Sequence, residues 1–209
     1  MRRYYAAIVG KYGAPVQKAL LKLAGLPIET ICPTHGPVWQ REAARVVDLY
    51  DRMSRYEGEP GVVVAYGSMY GNTERAAERI ARTLAAEGVG PIRVYNLSYA
   101  EPSEVLRDIF RFDTLVVGGP TYNGALFPPV RQLLDLIAAR GIPRRRFAWF
   151  GSFTWAGASA RLLGEFAGQM KWECVCEAVE MKQGATDDDC RRCDALARAL
   201  AAHIKQAAR

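Results

Sequence analysis

The chain has 209 residues, half of them hydrophobic, and a formal net charge of +6 divided evenly between residues 1–60 and the remainder. That length supports one full domain and a smaller appendage. No apolar run approaches the ~20 residues of a membrane span, basic residues are not interleaved with aromatics, and the five cysteines follow no disulfide framework; nucleic-acid binding, a membrane location and an oxidising compartment are therefore not expected.

The N-terminus pairs Arg2 and Arg3 with a short apolar stretch that Lys11 closes, too short for a secretory segment, so a cytoplasmic protein is expected. A helix is predicted over 16–23, a strand over 28–32, a turn at Pro33-Thr34-His35-Gly36-Pro37 and a second helix over 41–56. Three such elements bury too little surface to stand alone. Residues 57–61 read as a linker, dividing the chain into residues 1–59 and 60–209.

From residue 61 strands and helices alternate. Residues 62–66 form a continuous apolar run, as in a strand covered on both faces, and Ala76, Ala77, Ile80, Ala81 and Leu84 stripe the helix that follows. Strands are predicted at 92–97, 114–118, 146–151 and 172–181. The intervening helices include one with Ser103 as N-cap, one over 128–140 and one ending near 170. A last helix starts after Thr186, with Cys193, Ala197, Leu200 and Ile204 inward. Arg144-Arg145-Arg146 is expected at a solvated loop corner, Cys174 and Cys176 as packing residues on one strand face, and Cys190 and Cys193 as thiols on a packed helix face. His203 is expected to meet helix carbonyls. The predicted fold is α/β: a doubly wound, five-stranded parallel sheet of order 2-1-3-4-5, preceded by a short mixed α/β appendage.

Three loops end neighbouring strands on one edge of that sheet, where such folds bind ligands. The first, Ser68-Met69-Tyr70-Gly71-Asn72-Thr73, enters a helix N-terminus whose free N–H groups and two hydroxyls suit a phosphate. It lacks the lysine of a Walker A loop, so the phosphate would be held and not transferred. The second supplies Pro120, Thr121, Tyr122, Asn123 and Gly124; the third supplies Ser152, Phe153, Thr154, Trp155 and Gly157. Aromatics and amides at adjacent strand ends fit a flat ring with a polar edge, as in FMN.

These motifs, with Leu126-Phe127-Pro128, Lys171-Trp172-Glu173, Tyr4-Tyr5, Lys18-Ala19-Leu20 and Ile31-Cys32-Pro33-Thr34-His35-Gly36-Pro37 followed by Trp39, resemble the flavodiiron proteins. The resemblance covers essentially the whole chain. It implies a flavodoxin-like FMN domain at 60–209 and, at 1–59, the remnant of a metallo-β-lactamase-like domain. It further implies an oxygen or nitric oxide reductase when the assembly is intact, a rubredoxin or flavin reductase as electron donor, and a homodimer. His35 falls on the family's final iron-ligand position, but the other ligands are missing from this sequence. A di-iron centre would need them from elsewhere, so His35 is expected to be without metal. Thr154 stands where the family has Gly, and Gln40 where it has Arg. The expected function is FMN-dependent electron transfer, with no residue required as general acid or base. The alternatives are an NAD(P)H:quinone reductase on the same fold and a non-redox relic without flavin.

Overall fold

A computed structural model describes residues 1–207. Short helix α1 (Arg2–Tyr4) runs into a π-helical turn (Tyr5–Val9), then α2 (Gly13–Leu23) and α3 (Ala43–Ser54). The predicted strand at 28–32 is absent: only an isolated antiparallel bridge joins Ile31 to Trp39. Two prolines, Pro33 and Pro37, interrupt donors on either side of the turn and leave nothing to extend a ladder.

The remaining order is β1 (Glu59–Tyr66), α4 (Asn72–Ala86), β2 (Ile92–Asn96), α5 (Pro102–Arg111), β3 (Phe112–Tyr122), β4 (Ala125–Leu126), α6 (Pro128–Arg140), β5 (Arg146–Phe153), α7 (Ser159–Met170), β6 (Glu173–Cys174), β7 (Val179–Lys182) and α8 (Asp187–Ala207). Strands run β2-β1-β3-β5, all parallel, and both β6 and β7 pair with β5 at the far edge. With β6 and β7 as one interrupted edge strand, the order is 2-1-3-4-5. Because β1 begins at Glu59, the expected linker is partly strand. The predicted fifth strand at 172–181 is broken. Glu173 and Val179 are six positions apart, while their partners Arg146 and Phe150 are four apart, so two extra residues bulge out. The interruption shortens an exposed edge and leaves Cys174 exposed rather than packed.

Alternate strand residues feed two cores. Val63, Ala65, Leu115, Val117 and Phe147 face α5, α6 and α7; Val62, Val64, Tyr66, Val116 and Phe150 face α4 and α8. Each fully buried Val, Leu, Ile or Phe contributes about 1.5–3 kcal/mol, which is why covered strands read as unbroken apolar runs. Glu101, not Ser103, caps α5: its side chain accepts the Ser103 N–H at 3.1 Å, and Pro102 occupies the first helical position.

The N-terminal segment joins the first core, for Tyr5, Ala6 and Met53 are buried in it. Tyr5 packs edge-on against Tyr50 and Phe110, with centroids 5.2 and 6.1 Å apart. Arg140 of α6 donates to the carbonyl of Ala7 at 2.8 Å, answering a helix-end acceptor. Arg145 corrects the solvated-corner expectation. It is 1% exposed, and its guanidinium donates to the carbonyls of Tyr56, Ile109, Phe110, Pro143 and Arg144 at 3.1–3.4 Å. Burial pulls its pKa down to about 10, still protonated at neutral pH. Beside it Arg146 pairs with Asp113 at 2.7 Å, and Arg144 donates to the Arg55 carbonyl. The basic run therefore fastens the end of α3 to the sheet. His203 lies 3.0 Å from a Glu173 carboxylate oxygen, an inter-element pair rather than a helix-carbonyl contact.

Candidate functional site

A cleft of about 300 Å³ opens at the carboxyl edge of the sheet. Its lining draws Ser68, Met69, Tyr70, Asn72 and Thr73 from the β1–α4 loop and Pro120, Thr121, Tyr122 and Asn123 from the end of β3. Ser152, Phe153, Thr154 and Trp155 come from the end of β5, and Gln183 follows β7. The three predicted loops thus converge. Gly71, Gly124 and Gly157 lie outside the lining.

Two of those glycines act through the backbone. Gly71 has φ +84° immediately before α4 and donates its N–H to Ser68 Oγ at 3.1 Å, which turns the chain into the helix. Arg75 is the residue whose N–H reaches back to the Gly71 carbonyl, at 3.0 Å. The N–H groups of Asn72, Thr73 and Glu74 precede that first intrahelical bond and remain available at the positive end of a 15-residue helix. Asn123 (φ +49°) and Gly124 (φ +70°) form the two-residue link between β3 and β4, both left-handed, as a tight hairpin turn requires. Gly157 instead packs against Glu180, whose carboxylate a β-carbon there would meet at 2.7 Å.

Hydroxyls tie the loops together. Thr73 and Ser152 are buried and share a 3.0 Å hydrogen bond. One of the two donates to the other, so the pair keeps one proton for a ligand. Thr121 serves the scaffold instead. Its hydroxyl accepts the N–H groups of Ala158 and Ser159 at 2.9 and 3.0 Å, capping α7 from a neighbouring strand. Glu74, in the first turn of α4, is held away by the Tyr66 hydroxyl at 2.7 Å, and burial with that carboxylate pushes the Tyr66 pKa upward.

The lining contains no Asp, Glu, Lys or Arg. An anionic group there meets amides and hydroxyls, without a like charge to repel it or a cation to neutralise it. The rim is the reverse: Met69, Tyr70, Tyr122 and Trp155 all leave large apolar surface exposed, Trp155 at 93%. Of the exposed large hydrophobics in 60–207, only Val94 and Tyr99 lie elsewhere. Tyr122 is steadied by Phe127, edge-on at 6.0 Å. A cleft that combines neutral donors with loosely held aromatics fits FMN, a phosphate joined to a flat ring.

Gln183 is the lining residue the sequence reading missed. The available signal was topological, since the fifth strand position ends on the same sheet edge as the other three loops.

His35 lies elsewhere, exposed, with its ring 5.3 Å from that of Tyr4. Among the described residues no three of His, Cys, Asp and Glu cluster to hold a metal, so the residues present do not fit a di-iron centre. Burial pushes the thiols of Cys193 and Cys176 up to about 11, away from the thiolate form. Among the described residues no helix is long and apolar enough to cross a membrane.

Residues 64–193 match the Flavodoxin family. The nitric oxide reductase of Moorella thermoacetica is 30% identical over 207 residues, covering 97% of this chain and 51% of that protein. The rubredoxin-oxygen oxidoreductase of Megalodesulfovibrio gigas is 29% identical over 209 residues, 98% of this chain and 52% of that one. The solved rubredoxin oxygen:oxidoreductase of Desulfovibrio gigas matches with a TM-score of 0.92 at 28% identity, across 99% of this chain and 52% of that chain. The present chain spans about half the length of these relatives.

Proposed function

Because the chain belongs to the flavodiiron protein family, of which it is the flavodoxin-like portion, we propose that its cleft binds FMN and that it works as an electron-transfer module. One observation carries this reading: three of the four exposed aromatics of residues 60–207, Tyr70, Tyr122 and Trp155, gather at a cleft whose lining offers neutral donors and no acidic side chain. FMN supplies the redox chemistry when bound. The protein's own residues bind and orient it. The N–H groups opening α4, with the Ser68 hydroxyl and the proton left on the Thr73–Ser152 pair, hold the phosphate. Asn123 and the amides of its turn meet the polar edge of the ring. Tyr122 and Trp155 flank the ring and exclude water from its faces.

The absence of a lining cation sets the character of this binding: hydrogen bonds and the helix dipole stabilise the phosphate, so affinity should depend weakly on salt. We further propose that residues 1–59 are the end of a metallo-β-lactamase-like domain, and that a rubredoxin or flavin reductase delivers electrons. In the intact assembly they would pass on to oxygen or nitric oxide reduction. Among the described residues His35 has no companion ligands with which to hold iron.

The test is an absorbance spectrum of the purified chain after FMN is added and excess removed. Retained flavin absorbance at about one FMN per chain is the expected outcome; a colourless protein would reject the reading. Steady NADPH-quinone turnover by the loaded protein would instead favour a quinone reductase.

A further inference from the structure

The fourteenth lining residue comes from outside the three loops. β7 ends at Lys182, and the next N–H, that of Gln183, donates to the Phe153 carbonyl at 2.7 Å, prolonging the pairing with β5. Backbone pairing thus fixes Gln183 beside the third loop. There the chain turns left-handed, with φ +62° at Gln183, a conformation that a β-carbon makes costly and glycine adopts freely. A side chain retained at a strained position, opening on a ligand cleft, points to a role for that side chain. The turn also reaches the first loop, since a β-carbon on Gly184 would lie 3.8 Å from Asn72 Oδ1. Gln183 therefore stands between Phe153 and Asn72, the residue that opens α4 with its free N–H groups.

We propose that Gln183 is a ligand-positioning residue whose side-chain amide N–H donates to the phosphate end of the flavin, so that the cleft prefers FMN to unphosphorylated riboflavin. The inference rests on the FMN reading above and adds a fourth wall to the site. A primary amide suits this place: it supplies two donors without a charge, in keeping with a lining that holds no cation.

The experiment is a pair of titrations, FMN and riboflavin, followed by flavin fluorescence at fixed salt, on the wild-type chain, Gln183→Gly and Gln183→Glu. Gln183→Gly removes the amide while relieving the backbone, so its thermal midpoint should equal or exceed that of the wild type. Its FMN affinity should fall about tenfold, the worth of one hydrogen bond to a charged group, with riboflavin affinity kept within about twofold. Gln183→Glu keeps the size, turns a donor into a carboxylate facing the phosphate, and should lose more than Gln183→Gly, again for FMN alone. Unchanged FMN affinity in both variants, with a wild type that binds FMN, overturns this proposal and leaves the FMN reading intact. Equal losses for FMN and riboflavin overturn it too, because the side chain then serves the ring or the loop. A wild type that binds no FMN overturns both.

Discussion

Helices α2 and α4 are both amphipathic, yet they meet opposite fates. α4 buries Thr73, Ala76, Ala77, Ile80 and Leu84 against the sheet and α8. α2 buries only Gly13, while Leu21 and Leu23 remain exposed. The same contrast divides the molecule. In residues 60–207 the large apolar side chains left exposed ring the cleft at the carboxyl edge of the sheet, apart from Val94 and Tyr99; in residues 1–38 Tyr4, Ile8, Tyr12, Leu21, Leu23, Leu26 and Val38 are exposed and scattered, Leu23 and Leu26 along an open groove between α2 and α3 and Tyr4 at a hollow beside His35. A periodic apolar stripe announces that a helix has a face to cover, but it does not say with what. The N-terminal segment is held by a few specific contacts, whereas the sheet domain is held by two continuous cores.

The largest expected effect comes from the contact that joins the two regions. Arg145→Met should strand the five carbonyls that the guanidinium answers and cost about 3–5 kcal/mol, read as a lower urea midpoint. A cost below about 1 kcal/mol would mean that water reaches those carbonyls. Tyr5→Ala should come next, at about 3 kcal/mol. Because Tyr5 belongs to the segment, hydrogen exchange should show residues 1–23 losing protection while β1 and β3 keep theirs. Uniform loss would show that the regions unfold together and would break the comparison.

Trp155→Leu tests the other side. Trp155 is almost wholly exposed, so stability should change by less than about 0.5 kcal/mol, while FMN affinity drops about tenfold, or about 1.4 kcal/mol, through lost ring contact. The smallest effect is Glu59→Gln. Glu59 sits among Arg2, Arg52 and Arg111, pairing with Arg111 at 2.7 Å and with Arg2. Burial, the largest single influence, pushes its pKa up, but the arginine hydrogen bonds and charges together hold it below the usual carboxylate range. A depressed folded pKa gives stability that is present above the unfolded value of about 4.3 and lost as pH falls through the folded one. The variant should therefore be about 1 kcal/mol less stable at pH 7, with a difference that shrinks progressively as pH falls below about 4, by urea midpoints at each pH.

Most of the sheet domain was legible because its signals are local. The apolar runs of β1, β3 and β5, the loop beginning at Ser68 and the stripe of α8 follow from periodicity and turn chemistry between near neighbours. Thirteen of the fourteen cleft-lining residues were readable for the same reason, each sitting at the end of a recognisable strand. Gln183 was not, because its strand is broken and its place depends on register with β5.

The sequence by itself determined the alternation of the main strands and helices from residue 61 onward, the strand-to-helix loop at Ser68–Thr73 and the family, since each is written in short segments whose chemistry needs no distant partner. Only the tertiary structure decided what distant pairing controls: that Arg145 is a buried tie and not a surface charge, that Thr121 caps a neighbouring helix, that Cys174 faces solvent, and that the N-terminal segment shares the first core. The physical reason is common to all four. Charge, hydroxyl and thiol groups take their role from the partners that folding brings within hydrogen-bond or van der Waals reach, and those partners lie too far along the chain for any local pattern to record.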